Sequence, residues 1–175
     1  MTNQKDLKYK HVRNMIIGII ALYFFGISPT YAQKIYRGNS SYSSEIVCTY
    51  NQGKVYRGNS TYSSNVIARF DGTSLYSGKS SYYSDIVMSF RNGKIYKGHS
   101  MYDSDVLATW RENKLYRGSS PYQSDVLFTY KDNKVYRHNS PYQSDVVFTT
   151  SSWVHPLILY LIILPCSEYL RDDRN

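Results

Sequence analysis

The middle of the chain is one 20-residue phrase written six times without insertion or deletion, with units beginning at Lys34, Lys54, Ser74, Lys94, Lys114 and Lys134. Every unit has tyrosine at its third place (Tyr36, Tyr56, Tyr76, Tyr96, Tyr116, Tyr136) and again at its ninth, from Tyr42 to Tyr142. Serine stands at the seventh place, from Ser40 to Ser140, and at the eleventh, from Ser44 to Ser144. An acid follows at the twelfth (Glu45, Asp85, Asp105, Asp125, Asp145), with Asn65 the exception, and then always a β-branched residue, from Ile46 to Val146. A strict period of this length marks a repeat architecture in which each unit is one supersecondary element.

Twenty residues are too few for a helix pair, and the composition of the unit argues for strands. Val126-Leu127-Phe128-Thr129-Tyr130 and Lys134-Val135-Tyr136-Arg137 are rich in β-branched and aromatic side chains. The linkers between such runs, including Gln52-Gly53, Gly72-Thr73, Asn92-Gly93, Glu112-Asn113 and Asp132-Asn133, hold residues that tolerate the positive φ of tight hairpin turns. The end of one unit and the start of the next therefore predict a hairpin. A two-residue turn at Asp132-Asn133 sets Tyr130 opposite Val135, Thr129 opposite Tyr136 and Phe128 opposite Arg137. Alternation then collects Val126, Phe128, Tyr130 and Val135 on a core face, and leaves Leu127, Thr129, Lys131, Lys134 and Tyr136 on a wetter one. Cys48 occupies the core-facing place of Ala68, Met88, Ala108, Phe128 and Phe148, which predicts a buried structural thiol.

One hairpin cannot bury a face by itself, whereas six can. The fold class is all-β: six tandem hairpin repeats forming either an open solenoid or a closed, radial or barrel-like assembly. Closure would remove the exposed strand edges. The beat Ile/Val-Tyr followed by a segment such as Tyr122-Gln123-Ser124-Asp125-Val126 resembles short-period Tyr- and Ser-rich β-repeat domains of bacterial proteins, of the β-flower or septoil-knot type, over residues 34–149. The resemblance implies a β-repeat fold and carries no assigned activity with it.

The two ends differ from the repeats. Lys5, Lys8, Lys10 and Arg13 precede the apolar run Met15 to Ile27, and Ser28-Pro29-Thr30-Tyr31-Ala32 supplies a small-x-small site. That order predicts a signal helix over residues 1–32, cleaved after Ala32, and a secreted or periplasmic chain, with an N-terminal membrane anchor as the alternative. Residues 33–151 form the repeat domain. Residues 152–175 read as a separate apolar tail, because WVHPLILYLIIL over 153–164 has no period. The run is short for a membrane span, so the tail is expected to cover the last hairpin or touch a membrane surface. The abrupt loss of the period is also what a change of reading frame would produce.

Chemistry is thinner than architecture. Ser124-Asp125 has no histidine in its unit, so the nucleophile–base pairing of hydrolytic triads is missing from the repeat. His99 and His138 each occur in one unit, and a small exported hydrolase built from such unit-specific residues is the alternative to a non-catalytic protein. One acid per 20 residues does not make a calcium loop, and no cofactor fingerprint is present. Residues 34–150 carry 15 basic and 9 acidic groups. In an exported chain that balance favours an anionic glycan or cell-wall polymer over nucleic acid. The tyrosine columns allow two readings, packing or a ladder of ligand contacts. The ladder would use Tyr56, Tyr96, Tyr116 and Tyr136 of the strands with Arg57, Lys97, Arg117 and Arg137 beside them. The loop tyrosines, Tyr102 and Tyr122 among them, would then plug gaps between hairpins.

Overall fold

The computed structural model describes residues 32–163; the expected signal segment up to residue 31 and the rest of the expected tail from residue 164 lie outside them. Twelve strands follow the repeat. The first six are β1 (Gln33–Arg37), β2 (Ile46–Asn51), β3 (Lys54–Arg57), β4 (Val66–Phe70), β5 (Ser74–Ser77) and β6 (Ile86–Arg91). The second six are β7 (Lys94–Lys97), β8 (Val106–Arg111), β9 (Lys114–Arg117), β10 (Val126–Lys131), β11 (Lys134–Arg137) and β12 (Val146–Thr150). Each strand pairs antiparallel with its sequence neighbours, and β1 pairs with β12, so the sheet closes into a barrel. Closure, not an open solenoid, is the architecture. Five hairpins have covalent turns, while the sixth is assembled from the two ends of the domain, with Ile35 opposite Thr150 and Arg37 opposite Phe148.

The expected register is observed: Tyr130 lies opposite Val135, Thr129 opposite Tyr136 and Phe128 opposite Arg137. Both central residues of the turns have positive φ, as in Asn92 (49°) and Gly93 (75°), or Asp132 (51°) and Asn133 (59°). That twist matches the twist of the strands. At Gly93 the close approach also matters, since a Cβ there would stand 2.9 Å from the carbonyl oxygen of Trp110. The turn at Asp71 is built differently, with the Asp71 carboxylate accepting the N–H groups of Thr73 (2.9 Å) and Ser74 (2.8 Å) and the Tyr76 hydroxyl (2.8 Å). Burial alone would raise its pKa, but these hydrogen bonds hold it at about 2.

The interior is lined by the second, fifteenth and seventeenth places of the repeat. Ile35, Val55, Leu75, Ile95, Leu115 and Val135 are almost wholly inaccessible, and Cys48, Ala68, Met88, Ala108, Phe128 and Phe148 complete the layer above them. Cys48 is a free, buried thiol whose pKa burial pushes to about 12.

Alternation fails at one place per repeat. A β-bulge makes the thirteenth and fifteenth places pair with consecutive residues, as when Val126 lies opposite Tyr116 and Phe128 opposite Leu115. The extra residue swings Val126 from the core face to the outer face. There it meets the strand tyrosine, and the same bulge recurs in all six repeats.

The apolar segment after β12 is not a separate element. Residues 156–163 form a helix, α1. His155 starts it: its carbonyl accepts the N–H of Ile158 and Leu159, and its Nδ1 accepts the N–H of Leu157 (3.1 Å). Pro156, which reads as an interruption, is at the first helical position, where its fixed φ fits and its missing N–H is not needed. Val154, Leu157, Ile158, Leu159, Tyr160 and Ile163 are buried in one cluster with the barrel's inward residues. Twelve strands enclose more space than their own side chains fill, and α1 supplies the difference. Thr150, where an aromatic was due, leaves room for the chain to turn inward. Its hydroxyl lies 3.0 Å from the Tyr130 hydroxyl and bonds the carbonyl of Asn133 (3.1 Å).

Candidate functional site

All six connecting loops leave the barrel at the end opposite the tight turns, and their backbone is held by the residues that recur in them. The seventh-place serine accepts the N–H of the ninth-place tyrosine at 3.1–3.2 Å in every repeat. The same hydroxyl donates to the twelfth-place carboxylate in four of them: Ser80 to Asp85, Ser100 to Asp105, Ser120 to Asp125 and Ser140 to Asp145. Asn65 reverses the direction and donates to Ser60 (2.8 Å). The Ser–Asp pairs are thus loop braces. The loops fold back along the outer wall, where Arg91 donates to the carbonyls of His99 and Ser100, and Arg111 to that of Pro121.

This arrangement reverses the expectation for the two tyrosine columns. Tyr56, Tyr96, Tyr116 and Tyr136 are buried, between 1% and 9% exposed. The bulge brings a β-branched residue against each of them, and Arg91 and Arg111 stack over Tyr96 and Tyr116 with the guanidinium carbon 5.2 and 4.8 Å from the ring centre. They are packing residues, not a ladder. The loop tyrosines plug nothing: Tyr42, Tyr62, Tyr82, Tyr102, Tyr122 and Tyr142 stand 69–77% exposed around the outside of the barrel. A hairpin register cannot show the bulge, which sets a β-branched residue opposite every strand tyrosine, including Tyr36 and Tyr76, which are half-buried.

The cations of the expected site behave otherwise. Arg57 lies opposite Cys48, Lys97 opposite Met88, Arg117 opposite Ala108 and Arg137 opposite Phe128. Directly opposed residues share a face, so these four side chains are on the inner face of the barrel, away from the tyrosines that adjoin them in sequence. Arg37, opposite Phe148, is a fifth that sequence reasoning passed over, and Ser77, opposite Ala68, holds the sixth place. All six are exposed. They are the last residues of their strands at the loop end, so five cations ring that mouth of the barrel. Among the described residues the ion pair is Lys94–Asp103 (2.8 Å), and no carboxylate is paired with any of the five. The signal that could have found the ring was available in the period itself, since the fourth place shares a face with the second.

His99 stacks on Tyr83 at 4.3 Å, and His138 takes a left-handed φ of 54° at the place where the other repeats have glycine. Its Nδ1 lies 3.2 Å from the carbonyl oxygen of Val126. Among the described residues neither imidazole is hydrogen-bonded to a serine hydroxyl.

The fold defines a class: an antiparallel barrel of six hairpins closed around an inner helix. The chain belongs to the 6-fold beta flower protein family, whose model matches residues 35–163. The match runs through α1, so the apolar segment is part of the family's pattern and not a slip in the reading frame. No curated protein and no solved structure matched the chain.

Proposed function

We propose that this is an exported, non-catalytic binding protein that takes an anionic polymer of the cell envelope, an acidic glycan or wall polymer, at the loop-end mouth of its barrel. The ring of Arg37, Arg57, Lys97, Arg117 and Arg137 carries the reading, because these cations share the inner face at one end of the barrel and, among the described residues, none is paired with a carboxylate. Neighbouring ring places are two strands apart along the wall, about 10 Å from strand spacing. A regular array of this kind suits a ligand with repeated charges, and each added contact raises avidity. The exposed loop tyrosines supply a second set of surfaces on which sugar rings can stack. The expected export rests on the basic, apolar and small-residue order of residues 1–32.

Titration of the mature chain with polyphosphate and with polygalacturonate tests the binding. Both should bind, more weakly as salt rises. The double substitution Arg117→Gln with Arg137→Gln should weaken both by roughly tenfold, the size expected for two exposed charge contacts. Lys54→Gln with Lys131→Gln, at the turn end, should change little. Equal loss from both pairs would show a diffuse charge effect and overturn the site. For export, mass spectrometry of the protein made in a bacterial host should find Gln33 at the N-terminus; recovery of the uncleaved chain in the cytoplasm would overturn that part.

A further inference from the structure

In all six loops the ninth-place tyrosine has a fixed backbone and a free ring. Its N–H is held by the seventh-place serine, and its carbonyl accepts the N–H of the twelfth-place residue at 2.9–3.1 Å. The backbone angles agree throughout, with φ from −73° to −87° and ψ from 137° to 142°. These bonds use atoms that every residue except proline has, so they do not call for tyrosine. Packing does not call for it either, because the six rings are 69–77% exposed. Yet tyrosine recurs in every repeat, while the exposed places beside it change: Ser, Thr, Met or Pro before it, and Ser, Tyr, Asp or Gln after it. The eleventh-place serine is exposed and equally constant, from Ser44 to Ser144. Side chains join neighbouring loops at two junctions. The Tyr83 ring stacks on His99 at 4.3 Å, and the Asn39 amide donates to Gln143 (3.2 Å), joining the first loop to the last. The tyrosines thus form a circle around the barrel, with neighbours two strands apart, about 10 Å at the wall.

We infer that this collar is a second binding surface, six equivalent platforms for uncharged sugar rings. The inference goes beyond the anion-binding reading, since no cation of the mouth takes part. A sugar ring has an apolar C–H face, which an exposed aromatic face accepts, and an edge of hydroxyls, which neutral hydrogen-bonding groups accept. The loops offer both. Over the eighth to eleventh places of the six loops Asp103 is the one charged residue, and it is paired with Lys94. The remainder are tyrosines, small hydroxyl residues, glutamines, Met101 and two prolines. An anionic lipid surface would be met by Lys and Arg among the aromatics, and none stands at these places. A protein partner would be met by a continuous apolar patch, whereas polar residues separate these rings. Fixing the backbone of each tyrosine in advance lowers the cost of ordering it on a ligand.

Affinity electrophoresis of the mature chain in gels holding hydroxyethylcellulose, dextran or galactomannan, three uncharged glycans of different linkage, tests the collar. At least one should retard the chain, and added salt should not release it, because no charge is involved. Tyr102→Ala, Tyr122→Ala and Tyr142→Ala combined should weaken that binding by roughly tenfold or more, since half the platforms of a multivalent contact are lost. The same three positions changed to Phe should keep it, because the ring face remains. All six changed side chains are exposed in the wild type, so both variants should keep the thermal transition, and a melt beside each gel checks this. Arg117→Gln with Arg137→Gln should leave glycan binding within about twofold, as expected for a separate site. No retardation by any of the three glycans overturns the collar and leaves the cation ring standing on its polyphosphate titration. Equal retardation of the Ala variant, or loss confined to the Arg pair, overturns it as well. Co-sedimentation with phosphatidylglycerol-containing vesicles that the Ala variant loses would assign the collar to a lipid surface and overturn the sugar reading.

Discussion

At the scale of single residues, two tyrosines per repeat have opposite fates, and substitution should separate them. Replacing the loop residue Tyr122, which is 69% exposed, by Ser should shift stability by no more than about 0.5 kcal/mol. Tyr116→Ala should cost roughly 3–5 kcal/mol as a buried aromatic. The Tyr116 hydroxyl itself is buried with no hydrogen-bond partner among the described residues. Tyr116→Phe should therefore be neutral or stabilising by up to about 1 kcal/mol, read by thermal or denaturant melts. Equal losses from Tyr122→Ser and Tyr116→Ala would contradict the assignment of the columns. His155 makes the fold sensitive to acid. It lies between Phe70 (4.7 Å) and Phe90 (4.8 Å), and burial lowers its pKa below the usual imidazole value. Above about pH 6.5 both folded and unfolded chains hold it neutral. Below that pH the unfolded chain takes up the proton first, so stability falls as the medium is acidified. His155→Asn keeps an acceptor for the start of α1 and should flatten that slope in denaturant melts between about pH 7 and 5. An unchanged slope would place the acid sensitivity elsewhere.

At the scale of elements, the hairpins were legible because each repeat states its strand runs and its turn residues, and the predicted pairing of Tyr130 with Val135 is the observed one. The bulge was not legible. It depends on how one hairpin meets the next, and a single hairpin's alternation carries no information about that contact. Reading Arg57 beside Tyr56 as one site had another cause: the two are consecutive in β3, and alternation, legible in the sequence, already sends them to opposite faces of the barrel wall. The helix was hidden for another reason. A run that is apolar on all sides has no periodicity to read, and only the empty interior of a twelve-stranded barrel explains it. Removing residues 153–175 should then expose the ring of Phe70, Phe90 and Trp110 and abolish cooperative unfolding. A truncated chain with an unchanged melt would show that the barrel fills itself. Thr150→Tyr should also destabilise, since Thr150 is buried under the turn that admits the segment.

At the scale of the whole molecule, near-sixfold repetition makes a closed wall, and its departures from symmetry make the chemistry. The sixth hairpin has no turn, which leaves an opening for α1 at one end. The fourth place of the repeat, read six times, makes the cation ring at the other end, and Ser77 interrupts it. Wall and ring follow from the period, and so does the ring's inward direction, since the fourth place shares a face with the buried second; the pairing of β3 with β2 and its equivalents agrees with it. The central claim is that the mouth binds anions through these converging charges. Polyphosphate affinity of Ser77→Arg, measured against the unaltered chain across a salt series, tests it by completing the ring. The account predicts tighter binding, by roughly threefold to tenfold for one added charge contact at low salt, and a steeper loss of affinity as salt rises. Unchanged affinity and an unchanged salt dependence in the completed ring would contradict it.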